Sequence, residues 1–119
     1  MQAYKFIDED PGNFGVHPLE KLFDCLLGLS KTEISVFIRI LAHPGECCRG
    51  IARAEGKDRS VVQKVLKKLH DHGWIERLEL ERGKMTYTPL PPQEMRALLL
   101  RRIDETRARM IEVVNKAFP

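Results

Sequence analysis

The chain has 119 residues, 43% of them hydrophobic and 31% charged, which fits one soluble domain with a core of its own. No apolar run reaches the ~20 residues that a membrane span requires, and the N-terminus lacks the basic start and apolar centre of a secretory leader, so the expected location is the cytoplasm. A net charge of +3 excludes a uniformly sticky polycation. That charge is unevenly spread, however: residues 1–20 carry −3 and residues 57–68 carry +4. A local basic face on a nearly neutral chain points to a site for an anionic partner.

Residues 1–17 read as an irregular arm, broken by Pro11, Gly12 and Gly15. Pro18 suits the start of a first helix, over about 18–28, whose apolar face is Leu19, Leu22, Phe23, Leu26 and Leu27. Ser30 followed by Glu33 is a capping-box pattern for a second helix, faced by Ile34, Phe37, Ile38 and Leu41 and ended at His43-Pro44-Gly45. A short third helix fits 48–55, with Ile51 and Ala52 inward and Gly56 at its end. Asp58 is placed to cap a fourth helix that stops near Gly73.

After Gly73 the apolar period changes from helical to alternating. "WIERLELERGKMTYTPL" reads as a β-hairpin turning at Arg82-Gly83, with a bulge or a late strand start expected near Glu76-Arg77 because Ile75 and Leu78 are out of step. A last helix starts at about Pro92. Met95, Leu99, Ile103, Thr106, Met110, Val113 and Ala117 follow at intervals of four and three, a coiled-coil-like seam suited to pairing with a second copy. The expected organisation is an arm at 1–17, a winged helix-turn-helix at 18–90 and a dimerisation helix at 91–119. Its fold class is mainly α with a small β-hairpin wing.

The turn between the third and fourth helices carries a recognisable spacing. Ala52 is small where the helices cross, Gly56 permits the sharp turn, and Val62 and Val65 anchor the second helix. "LGLSKTEISVFIRIL", "GIARAEGKDRSVVQKVLKKLHDHGWIE" and "YTPLPPQEM" resemble the DNA-binding domain of TrmB/MarR-like winged-helix transcriptional regulators, a group common in archaea. The resemblance runs over roughly 26–117. It implies a fourth helix in the major groove of duplex DNA, a hairpin wing beside it and a dimerising terminal helix. It also implies groove-facing Arg59, Ser60, Gln63, Lys64 and Lys67. Lys57 departs from the pattern, which often has an apolar residue there. Larger TrmB proteins carry a sugar-binding domain after the helix, for which this chain has no room.

The side-chain chemistry supports the same partner. Arg59 and Gln63, near the start of the fourth helix, can each make paired hydrogen bonds to a base edge. Ser60 and the first backbone amides suit a phosphate. Lys64, Lys67 and Lys68 suit phosphates that position without specifying. Arg82 and Lys84 at the wing tip are placed for the adjacent backbone or the minor groove, opposed by Glu79 and Glu81.

Cys25, Cys47 and Cys48 form no disulfide framework. Cys48, at the start of the third helix beside Arg49, suits a lowered thiol pKa, so Cys47 and Cys48 offer an alternative reading as a redox-responsive pair. His43, His70 and His72 match no zinc spacing with them, and neither a metal nor a cofactor is expected. No nucleophile–base or carboxylate pair suggests an enzyme. The expected function is therefore a homodimeric, sequence-specific DNA-binding regulator, open to a small-molecule or redox effector. The alternative of another class is a winged-helix protein–protein module, which an exposed apolar patch on the fourth helix would favour.

Overall fold

A computed structural model describes residues 18–119; the expected arm at 1–17 lies outside them. Helix α1 (Pro18–Leu27) buries Phe23 and Leu27. Helix α2 (Lys31–Ala42) begins with the expected capping box: the Glu33 amide donates to Ser30 Oγ at 3.2 Å, and the Ser30 amide donates to Glu33 Oε1 at 2.9 Å. α2 is the centre of the core. Its Val36, Phe37 and Ile40 are fully buried, and Phe37 stacks on Phe23 with ring centroids 4.7 Å apart.

Helices α3 (Cys48–Glu55) and α4 (Arg59–Asp71) form the helix-turn-helix. Gly56 closes α3 in the left-handed region at φ +63°, and the Lys57 amide donates to the Ala52 carbonyl at 3.0 Å. A side chain at Gly56 would meet no neighbouring atom, so glycine is favoured there by backbone conformation rather than by space. Ala52, Val62 and Val65 are buried where the helices cross. The expected Asp58 cap is not made: Asp58 stands at the N-cap position, but its side chain accepts no amide.

Strands β1 (Ile75–Glu79) and β2 (Met85–Pro89) pair antiparallel in one unbroken register, from Ile75 opposite Pro89 to Glu79 opposite Met85. Neither the expected bulge nor a late start at Glu76-Arg77 occurs, since β1 begins at Ile75. Leu78 lies opposite Thr86 and thus on the other face from Ile75, Tyr87 and Met85. The two apolar alternations belong to opposite faces of the hairpin, and Leu78 is simply exposed. The tip is a short 3-10 turn at Glu81–Gly83 with Arg82 at φ +63°, closed by the Leu80 amide donating to the Lys84 carbonyl.

The outer edge of β2 is not free. The Gly45 amide donates to the Tyr87 carbonyl at 2.9 Å, and the Tyr87 amide donates to the Glu46 carbonyl at 3.0 Å. Arg39 of α2 holds the Glu46 carboxylate with two bonds, 2.6 Å from Nε and 2.8 Å from Nη2. The Arg39 hydrogen bond keeps the Glu46 carboxyl below its ordinary pKa. A carboxylate with a depressed native pKa contributes stability above its unfolded pKa and loses it as pH falls through the native one. The melting temperature of the parent should therefore fall more steeply below about pH 4.5 than that of Glu46→Gln. Parallel curves for the two proteins would show that the pair adds nothing to folding.

Helix α5 (Pro92–Ala117) has 26 residues and is about 39 Å long. The expected seam divides along it. Met95 is buried in the chain's own core, and Leu98 and Leu99 pack against that core where α5 meets α1. Met95 therefore has no surface left for a second copy, and Leu99 has only part of its own. Beyond them Ile103, Met110, Ile111, Val113, Val114 and Phe118 are exposed, and Thr106 is half-buried. Among the described residues no helix is long and apolar enough to cross a membrane.

Candidate nucleic-acid interface

α4 is two-sided. Val62, Val65, Leu66 and Leu69 are buried against α2 and α3, and this burial fixes the rotation of the helix. Arg59, Ser60, Gln63, Lys64 and Lys67 are consequently all exposed on the opposite side. Among the described residues Val61 is the only large apolar side chain exposed on α4, so this face is polar and cationic.

The structure brings part of the expected set together. Arg59 and Gln63 at the start of α4 and Lys84 at the wing tip line one open cleft of about 540 Å³ with Cys47, Cys48 and Arg49. Tyr87 of β2 completes it. Arg82 and Lys84 are exposed on the hairpin tip. Lys64 and Lys67 continue the exposed face along α4, where Lys67 Nζ lies 2.8 Å from Asp71 Oδ2. That pair is i,i+4 on a solvated helix surface, where an ion pair contributes little and leaves Lys67 open to exchange it for a phosphate.

Lys68 is engaged elsewhere in this structure and does not line the cleft. Its Nζ is 3.0 Å from both carboxylate oxygens of Glu33 at the start of α2. Burial works against the Glu33 carboxylate, but the Ser30 amide and Lys68 outweigh it and hold its pKa low. Lys68 thus ties α4 to α2 across 35 residues of sequence. Arg49, which motif spacing alone does not single out, lines the same cleft. Its signal was present, as an exposed cation in the first turn of the helix preceding the reading helix.

The thiols stand where expected, but the lowered pKa falls on Cys47 rather than on Cys48. Cys48 is the first residue of α3, and Cys47 precedes it at the N-cap. The Gly50 amide over the first turn draws the Cys47 thiol below its usual pKa, helped by Lys84. Burial pushes Cys48 up instead, and its Sγ donates to the Arg59 carbonyl at 3.7 Å. All three cysteines are free.

Three helices, a turn closed by a left-handed glycine, a wing and a cationic reading helix define a winged helix-turn-helix protein. The model of the TrmB family, described as sugar-specific transcriptional regulators, matches residues 24–93. The chain belongs to the TrmB family, a family of transcriptional regulators rather than of enzymes. It is 36% identical over 59 residues to the uncharacterized protein MJ1082 of Methanocaldococcus jannaschii, covering 50% of this chain and 49% of that one. The match therefore spans about half the length of that relative.

Solved structures carry the same fold. A possible transcriptional regulator from Methanosarcina mazei superposes with a TM-score of 0.71 at 20% identity, over 85% of this chain and 89% of its own. The ST1889 protein of Sulfolobus tokodaii gives 0.66 at 17% identity, over 76% and 93%. The PcaV transcriptional regulator of Streptomyces coelicolor, solved with its natural ligand, gives 0.53 at 18% identity, over 93% and 84%.

Proposed function

We propose that the chain binds duplex DNA sequence-specifically as a homodimer in the cytoplasm, with α4 in the major groove and the wing on the flanking backbone. The observation that carries this reading is the two-sidedness of α4: burial of Val62, Val65, Leu66 and Leu69 turns Arg59, Gln63, Lys64 and Lys67 outward together. Arg59 and Gln63 stand in the first turns of the helix, the part that reaches base edges when a reading helix enters a groove. Lys64 and Lys67 stand farther along and suit phosphates. Arg49 and Lys84 flank the same cleft from α3 and from the wing. A protein–protein module would be better served by an apolar outer face on α4, and the exposed side chains there are mostly charged.

The test is selection of a preferred site from a random duplex pool, followed by titration of variants on that site. Arg59→Ala and Gln63→Ala should each cost about 1–3 kcal/mol and relax discrimination at particular base pairs. Lys64→Ala should weaken all duplexes alike and flatten the salt dependence by up to about one unit of slope. Failure of the selection to enrich any site would end the sequence-specific reading. A uniform loss for Arg59→Ala would move that residue to the phosphate class.

Effector control is part of the reading. The family is described as sugar-specific, and the PcaV structure holds a natural ligand.

A further inference from the structure

We propose that Cys47 is a covalent modification site for small anionic disulfides, and that the adduct, lodged between α4 and the wing tip, expels duplex DNA. The second half rests on the DNA-binding reading; the first does not.

The cleft supplies three conditions. Its volume of about 540 Å³ falls within the range of small-molecule sites, roughly 300–1,000 Å³. Arg49, Arg59 and Lys84 surround it, and among the described residues none of the three forms an ion pair. Three uncommitted cations around one hollow select an anionic guest. Cys47 forms part of the wall, at the N-cap of α3, where the first-turn amides draw its thiol pKa below the usual value.

The neighbouring thiol plays no part in the attack. Cys48 is turned toward the start of α4, its S–H engaged by the Arg59 carbonyl, and burial keeps it protonated. Cys25 lies on α1, outside this cleft. Selectivity among the three cysteines therefore follows from where each one sits.

The step is a thiol–disulfide exchange. The Cys47 thiolate attacks one sulfur of the incoming disulfide, forming a new S–S bond as the old one breaks. The second sulfur leaves with the electron pair as a thiolate and takes a proton from water. No external oxidant is required. With Cys48 held by Arg59, the mixed disulfide persists until a small thiol reverses it. While it stands, it places negative charge against Arg59 and Lys84 and fills space beside Gln63, where a DNA backbone would have to enter.

The test uses the full chain, the anionic aromatic disulfide dithiobis(nitrobenzoate) and the neutral dithiodipyridine. Adducts are located by mass spectrometry of peptides at short times, and duplex affinity is titrated on the same samples. Cys47 should be labelled about tenfold faster than Cys25 by the anionic reagent, with a smaller preference for the neutral one. Lys84→Gln should narrow the difference between reagents. Labelled protein should bind duplex at least about tenfold more weakly, recover with dithiothreitol, and be matched by no such loss in treated Cys47→Ser. First labelling at Cys25 or Cys48, or an equal preference for both reagents, overturns the modification site. A Cys47 adduct that leaves affinity unchanged overturns its regulatory role. If the untreated chain binds no duplex, the DNA-binding reading and the regulatory half fail together, and the labelling pattern still decides the first half.

Discussion

Glutamate at Ile103, Met110 and Val113 together should convert the protein to a monomer and remove most of its site-specific affinity, by about a hundredfold or more. One reading helix covers too few base pairs to find a site in a genome, whereas two helices held about 34 Å apart meet successive major grooves on one face of the duplex. The free part of α5 is the element suited to holding them. Met110 is 64% exposed and Val113 65%, and with Ile103, Ile111 and Val114 they leave this end of α5 largely apolar and uncovered among the described residues. Leu99 is left out of the set because it packs on the chain's own core, so a charge there would unfold the winged part and confuse the result. Light scattering and titration on the same samples provide the measurement. A parent protein that is monomeric at working concentration and still binds its selected site tightly would overturn the dimer.

The division of α5 shows where sequence reading stops. A heptad-like run says that a helix has an apolar seam, but not which partner covers each stretch. Here α1 covers the first turns, from elsewhere in the same chain, and nothing local to Met95 announces that. Lys68 is similar: its charge is plain in the sequence, and its commitment to Glu33 depends on how α2 and α4 cross. Leu78 misled for another reason, since alternation reports that a strand has two faces without saying which is wet. For Cys47 and Cys48 the helix boundary at residue 48 was legible, but the burial that raises the Cys48 pKa depends on how α3 packs beside the start of α4.

Elsewhere local rules were sufficient. The Ser30–Glu33 capping box, the breaks at Gly56 and Gly73, and the aliphatic stripe of α4 all act within a few residues. The helix-turn-helix, and with it the outward set Arg59, Gln63 and Lys64, was therefore legible before any tertiary contact was known.

Phe37→Ala should destabilise the protein by about 3–5 kcal/mol, the range for emptying an aromatic site in a packed core. Phe37 is fully buried at the middle of α2, stacked on Phe23 and surrounded by the other core helices, so little can move in to close the cavity. A domain of this size has about 5–15 kcal/mol in all, so a large fraction of its stability would be lost. DNA binding would weaken near physiological temperature through unfolding, with no change at the interface itself. Urea denaturation of the variant beside Leu78→Ala gives the contrast. Leu78 is 59% exposed, and its truncation should stay within about 0.5 kcal/mol. A small effect at Phe37 would mean that α2 is not the centre of the core.

The wing root is fastened to the segment after α2 by two backbone hydrogen bonds and by the Arg39–Glu46 clamp behind them. α4 is fastened to the same helix by the Lys68–Glu33 pair and by its own buried stripe. The two parts that would touch DNA are thus mounted on one chassis, and the gap between them behaves like the opening of a caliper locked at one setting. A duplex presented to it must supply whatever adjustment is needed. The stiffness of the DNA between the groove and the flanking phosphates then becomes part of what is measured, even at base pairs that no side chain reaches.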